Sequence, residues 1–388
     1  MQSAAMKIYL QFLVVLPILF GYGCAKKGGT DVKLISLRPT DLPIMLSSVV
    51  SRATYVKLET SDSCMVGNVD KMLYYDRRFY LLDTRATKSL FVFNDSGSFL
   101  FKISRQGGGP GEYSGPDDFC LDTVNGHVVI VDRSRRKIIE YQLQDGKFYR
   151  ELFVMYFPYC ITATGEEHFA FYTGFVPSGS AKGGVDHSLL VTNRNYEVKR
   201  AYFPFDIAHL PPRIAPQTVF ASAFGGAEFL PVFGDTVYRV EGTTLTSRYV
   251  MDFADKSIPR SFFQNRDTPE KERELLENYC FLRQNYCETG SHVYFTFRYK
   301  GFAYSAFYNK TTGTAKVGRA IANDIDGMPF GQPMCVSENR LVGIIEPFQI
   351  LEQMKTANGW HGQNPTSTFL NLTDLANPVL VFYTLVER

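Results

Sequence analysis

The chain has 388 residues with 41 Lys and Arg against 39 Asp and Glu, a formal net charge of +2, so it lacks the basic field that nucleic-acid binding draws on. Its 45% hydrophobic content, with 32 Phe and 23 Tyr, excludes a disordered chain and suits large flat side chains packed between twisted sheets. The length fits two or three domains, or one body built from repeats.

At the amino terminus, Lys7 precedes the apolar stretch Ile8–Phe20, and the small residues Gly21 and Gly23 stand before Cys24. That order of positive, apolar and small-residue regions is an export signal, too short to span a membrane as an anchor helix. It predicts a signal peptide over residues 1–23, and export followed by attachment of a lipid to Cys24 resembles the bacterial lipoprotein pathway. Residues 24–53 read as a tether, and the first ordered strand is expected at Thr54–Leu58.

From Phe79 to Tyr113 three apolar runs alternate with polar turns, the pattern of an antiparallel meander. Asn94, Asp95, Ser96 and Gly97 make the sharpest turn, because Asn and Asp bond their own backbone and Gly accepts positive φ. The unit recurs: Asp83, Lys88 and Gly97 return as Asp132, Lys137 and Gly146, each 49 residues later. Weaker copies follow at Ser188–Phe203, Thr236–Val250 and Ser305–Val317, and a last strand lies at Pro378–Val386. Repeats of roughly 40 to 50 residues, each a small sheet that buries its faces only against neighbours, predict a β-propeller. The expected fold is all-β, a six-bladed β-propeller of four-stranded antiparallel blades over residues 54–388. Pairing the first strand beside the last would close the ring and remove the exposed edges at its seam.

Between the first two units runs Gln106–Tyr113, with Gly107, Gly108, Gly109, Pro110 and Gly111. A phosphate-binding loop needs Gly-Lys-Ser/Thr, and Glu112 and Tyr113 stand there instead; a dinucleotide fingerprint needs a Gly where Glu112 stands. The loop therefore reads as a tight passage between blades in which Glu112 ties down backbone amides. Arg105, Gln106, Glu112 and Tyr113 are the residues it would bring to the channel mouth as a ligand-binding set. The basic run Arg133–Lys137 falls between two strands and reads as a solvated turn.

Two short helical insertions interrupt the strands. Thr268 and Pro269 make an N-cap and first turn for Glu270–Tyr279, and Phe348–Ala357 stops before Asn358 and Gly359. A Gly- and Ser-rich loop spans Thr173–Val185. After Cys24, six cysteines remain, none in a paired zinc spacing; they read as buried thiols, with Cys280–Cys287 the pair best placed for a bridge. The six histidines show no metal-binding spacing, and no nucleophile elbow occurs, so the residues indicate no catalytic set and no metal, and they leave the cofactor unknown. The repeated Asp83 and Asp132 read as turn-bonding residues. The single Trp, Trp360, stands beside His361 in a polar loop suited to stacking on a sugar or a peptide.

The leader, the early unit with its Asp, turn Gly and Gly-Gly-Pro-Gly-Glu-Tyr segment, and the closing Asn377–Val381 together resemble the bacterial six-bladed β-propeller lipoproteins, similar in architecture to NHL-repeat and TolB-like propellers. The resemblance covers about Tyr55 to Leu385 and implies a fold and an envelope location. It leads to the expectation of a lipid-anchored, non-catalytic binding module for a protein, glycan or peptide, held to the membrane through Cys24. Ala25, Lys26 and Lys27 after that cysteine favour the periplasmic face of the outer membrane. The alternative is a lactonase- or lyase-type enzyme, since architecturally related propellers hold a divalent metal on carboxylates at the central channel; a third reading is a structural scaffold.

Overall fold

The computed structural model describes residues 32–178, 185–208, 210–211, 218–223, 226–259, 261–263, 268–356 and 368–387. Six antiparallel sheets follow one another along the chain. Blade 1 is Lys71–Tyr75, Arg78–Asp83, Ser89–Asn94 and Phe99–Ile103; blade 2 is Asp118–Asp122, His127–Asp132, Lys137–Gln142 and Phe148–Phe153. Blade 3 is Cys160–Ala163, His168–Tyr172, Val185–Asn193 and Val198–Asp206, and blade 4 is Phe220–Ala223, Gly226–Phe229, Thr236–Glu241 and Thr244–Asp252. Blade 5 comprises Phe281–Glu288, His292–Tyr299, Phe302–Asn309 and Thr314–Gly318. Blade 6 takes Pro333–Ser337, Arg340–Ile345 and Val379–Leu385 from the end of the chain and Val50–Lys57 from its beginning. This is the expected six-bladed propeller, and its seam is closed as expected: Lys57 pairs with Val379, Tyr55 with Val381 and Ala53 with Tyr383, antiparallel.

The second strands of blades 1 and 2 are apolar throughout their middles, Phe79–Leu82 and Val128–Val131, because both faces are buried, unlike a strand with one wet face. Phe79 and Leu81 pack against Leu380 and Phe382 of blade 6. Their neighbours Tyr80 and Leu82 point the other way, into a core with Val128 and Ile130 of blade 2. One repeat later, Val129 and Val131 meet Phe169 and Phe171 of blade 3. The 49-residue offset is therefore a true structural register: a residue and its counterpart face the same side of successive blades. Apolar side chains are thus divided among six interblade cores, each fully buried aliphatic or Phe side chain contributing roughly 1.5–3 kcal/mol.

Asp83 and Asp132, neither accessible to solvent, do what a repeated turn residue does. The Asp83 carboxylate accepts backbone N–H bonds from Gly67, Asn68, Arg85, Ala86 and Thr87 at 2.8–3.2 Å. Asp132 accepts from Ser114 N at 2.7 Å and Arg135 N at 3.2 Å.

Three features depart from expectation. The stretch assigned to a tether is part of the fold where it is described. Lys33–Ser36 adds a parallel strand to blade 4, Ile44–Met45 pairs with Ile321–Ala322, and the closing strand begins at Val50. The cause is Ile35, Leu37, Ile44 and Leu46, all buried in cores beside blade 5, a set too sparse to read as periodic. Second, no Cys280–Cys287 bridge forms: both thiols are free, because Cys280 lies in the core between blades 4 and 5 and Cys287 in the one between blades 5 and 6. Third, Lys137 of the basic run is buried, its Nζ 2.8 Å from Glu151, so that run is a solvated turn only up to Arg136.

The two helices are present as α1 (Pro269–Asn278) and α2 (Pro347–Thr356). The Thr268 hydroxyl accepts from Lys271 N at 3.3 Å, the expected cap. Leu275 anchors α1 in the core between blades 3 and 4, and Ile350 anchors α2 in that between blades 5 and 6.

Candidate functional site

The first strands of the blades stand side by side around the axis. At one end they are stitched by a buried ion pair: Lys71 Nζ lies 2.8 Å from Asp118 Oδ1 and donates to the Phe119 carbonyl at 2.7 Å, while Asp118 Oδ2 accepts from Ile161 N at 2.8 Å. Lys71, Asp118 and Ile161 lie at or next to the start of the inner strands of blades 1, 2 and 3, so those strands run in the same direction.

Along and beyond the inner strands lies an axial cavity of about 930 Å³, lined by residues from all six blades. A cavity of this size is at the upper end of the range for small-molecule sites. Its wall alternates aromatic and aliphatic groups (Tyr75, Phe220, Tyr286, Met334, Val336) with hydroxyls and amides (Thr123, Thr162, Thr218, Ser222, Asn285). The strand Phe281–Glu288 is irregular here: Leu282 and Asn285 both have φ +52°, and its pairing with His292–Tyr299 shifts register twice. A bulge of this kind re-aims side chains, and it places Asn285 and Tyr286 on the cavity wall.

Three carboxylates from three blades, Asp122, Glu166 and Glu288, reach the wall. Glu288 is tied to Arg248 at 2.9 Å and to Lys310 at 2.6 Å, and accepts from Tyr286 Oη at 2.8 Å and Tyr249 Oη at 3.1 Å. Burial would raise its pKa, but the bonds from Lys310 and Tyr286 and the charge of Arg248 outweigh that and hold it below the usual carboxylate value. Behind it Glu228, 1% exposed, pairs with Arg248 and with Arg239; there burial wins and pushes the carboxyl up. Asp122 pairs with Arg194 at 2.7 Å, and Lys71, also on the wall, is neutralised by Asp118. Among the described residues no three His, Cys, Asp or Glu side chains stand together as a metal site requires.

The glycine loop is drawn together as expected, but away from this wall. Glu112 Oε2 accepts from Gly109 N at 2.7 Å, Glu151 accepts from Gly111 N at 2.7 Å, and Lys137 Nζ donates to the Glu112 carbonyl at 2.9 Å. A Cβ on Gly107 would come within 2.0 Å of Glu112 Oε2 and would push that carboxylate off the Gly109 amide. Tyr113 is fully buried, its hydroxyl within 3.0 Å of the Lys88 and Ile103 carbonyls. Arg105 and Gln106 are exposed. None of Arg105, Gln106, Glu112 and Tyr113 lines the axial cavity. Trp360, His361 and Cys24 lie outside the described residues. The wall residues were missed because they are scattered along and just beyond the inner strands, where no repeated residue marks them.

A family model described as a domain of unknown function, DUF4934, matches residues 33–384. No curated protein matches the chain. Among solved structures, a protein of Bacteroides fragilis described as exported is similar with a TM-score of 0.77 at 18% identity, over 91% of this chain and 100% of the other. A member of the duf4221 family from Bacteroides vulgatus is similar with a TM-score of 0.50 at 9% identity, over 87% of this chain and 97% of the other. At these identities the likeness is one of fold.

Proposed function

This chain belongs to the DUF4934 family, and from its axial cavity we propose that it is a non-catalytic binding module of the cell envelope that captures a glycan or peptide segment in the ring. The observation that carries this is the cavity of about 930 Å³ to which every blade contributes. Of its charged groups, Lys71, Asp122 and Glu288 are already paired within the protein, which leaves aromatic faces, hydroxyls and amides, with the single carboxylate of Glu166, as the recognition groups. Such a wall stacks on and hydrogen-bonds to an uncharged polar ligand.

The envelope location rests on the leader before Cys24 and on the exported character attributed to the Bacteroides fragilis protein. Lipid on Cys24 anchors the module, and the lysines that follow favour the periplasmic face of the outer membrane. The test is a thermal-shift screen of the mature protein against neutral oligosaccharides and peptides. A ligand at a hundred times its Kd stabilises the fold by about 2.7 kcal/mol. Absence of any shift across both panels, together with no partner in envelope pull-downs, sinks the reading.

A further inference from the structure

Between the two left-handed residues of the blade 5 inner strand, Leu282 and Asn285, stands Arg283. Non-glycine residues held at φ +52° are strained, and such strain gathers at functional sites. Arg283 is 2% exposed. Its guanidinium donates to the Pro231 carbonyl, its Nε has no hydrogen-bond partner, and it forms no ion pair among the described residues. Asp235 attracts it from a distance while accepting a bond from Thr236 Oγ1 at 2.8 Å. Desolvation without a paired anion draws the guanidinium pKa down to about 10. A buried cation in this condition is costly unless something negative meets it.

Beside it is a cavity of about 140 Å³, walled by Phe233, Phe253, Ile258 and Phe263, with Arg283 and Asp235 as the charged groups of its lining. A cavity of roughly 150 Å³ accepts a benzene ring, so the space suits a ligand of about that bulk. The planar guanidinium matches a carboxylate, and the apolar walls suit a small hydrocarbon body better than a hydrated phosphate. We infer that this cavity is a binding site for a small organic monocarboxylate, with its carboxylate on Arg283 and its apolar body among Phe233, Phe253 and Phe263. It shares no lining residue with the axial cavity, so its fate is independent of the function proposed above.

The experiment is titration calorimetry on the mature protein in chloride-free buffer, with propionate, benzoate, inorganic phosphate and chloride as separate probes. Saturable binding of propionate or benzoate is expected, weakened about tenfold to a hundredfold by Arg283→Met, which loses a charge-assisted bond. Removing an unpaired buried charge should leave the fold intact. Ile258→Trp, which fills the cavity and keeps Arg283, should abolish binding and decides the matter if Arg283→Met does not fold. The inference is overturned by carboxylate affinity unchanged in either variant, by no saturable carboxylate binding, or by phosphate or chloride binding as tightly as benzoate.

Discussion

Lys71 and Asp118 form a buried ion pair at 2.8 Å that joins blade 1 to blade 2, and the second oxygen of Asp118 extends the tie to the Ile161 amide of blade 3. Three inner strands meet at this one carboxylate. Breaking a buried pair from one side leaves an uncompensated charge, which costs about 3–5 kcal/mol. Asp118→Ala should therefore cost about that much, whereas the double replacement Lys71→Met, Asp118→Leu should recover most of the loss. Urea unfolding of the four proteins in a double-mutant cycle measures the coupling; a coupling near zero would show that the pair contributes nothing to holding the blades.

Asp83 gives a pH dependence whose sign follows from its surroundings. Burial acts to raise its pKa, but the N–H donors of Thr87, Arg85 and Ala86 prevail and hold it below the ordinary carboxylate value. A depressed folded-state pKa means stability that is fully present above the unfolded pKa, near 4, and lost as pH falls through the folded value. Asp83→Asn should lower stability at pH 7 by about 2–3 kcal/mol, through loss of charge-assisted bonds. Its stability should also fall less steeply than that of the parent below about pH 4. Denaturant midpoints from pH 7 to pH 3 give both results, and parallel curves would refute the assignment.

How much of this was legible in the sequence depends on repetition. Asp83 and Asp132 recur with their turn glycines, so blades 1 and 2, the ring and its closure could be read from spacing alone. Thr268 and Pro269 marked α1 because capping is a local matter. The axial wall left no such mark: Ser222, Asn285 and Met334 line it from three blades but share no chemistry, since a cavity constrains shape rather than residue type. Arg283 was likewise silent, because its isolation is a property of the bulge at Leu282 and of the neighbours folded around it. Conversely, Gln106–Tyr113 drew attention by composition, and its glycines answer to close packing against Glu112 and Phe148.

The seam offers a prediction about order along the chain. Val50–Lys57 completes blade 6, and Val56 contributes to the core between blades 6 and 1. A chain beginning at Leu58 would leave Val379–Leu385 with an open edge, a template for association with other chains. It should elute as oligomers or aggregate, whereas a chain beginning at Val49 keeps the closing strand and loses the outer additions to blades 4 and 5. That second truncation also removes Ile35, Leu37, Ile44 and Leu46 from their cores, so it should stay monomeric with a lowered Tm. Size-exclusion chromatography with light scattering distinguishes them, and a monomeric, folded chain from Leu58 would show that closure at the seam is dispensable.

The axial cavity gives the last prediction. Ser222 is exposed and lines the wall from blade 4, and Tyr75, 38% exposed, lines it from blade 1. Neither belongs to an interblade core, so both can be changed with little effect on folding. Ser222→Trp places an indole in the cavity and should abolish stabilisation by any ligand found in the screen. Tyr75→Ala removes a stacking face and should weaken that ligand about tenfold, the scale of a buried aromatic contact. Glu288→Gln is the contrasting variant: it leaves Arg248 and Lys310 without their shared anion, so it should lower stability while changing affinity for an uncharged ligand much less than Tyr75→Ala does. Thermal shifts and Kd values for the three variants separate these effects. A ligand that binds Ser222→Trp as tightly as the parent must sit elsewhere, and the channel would lose its claim to be the site.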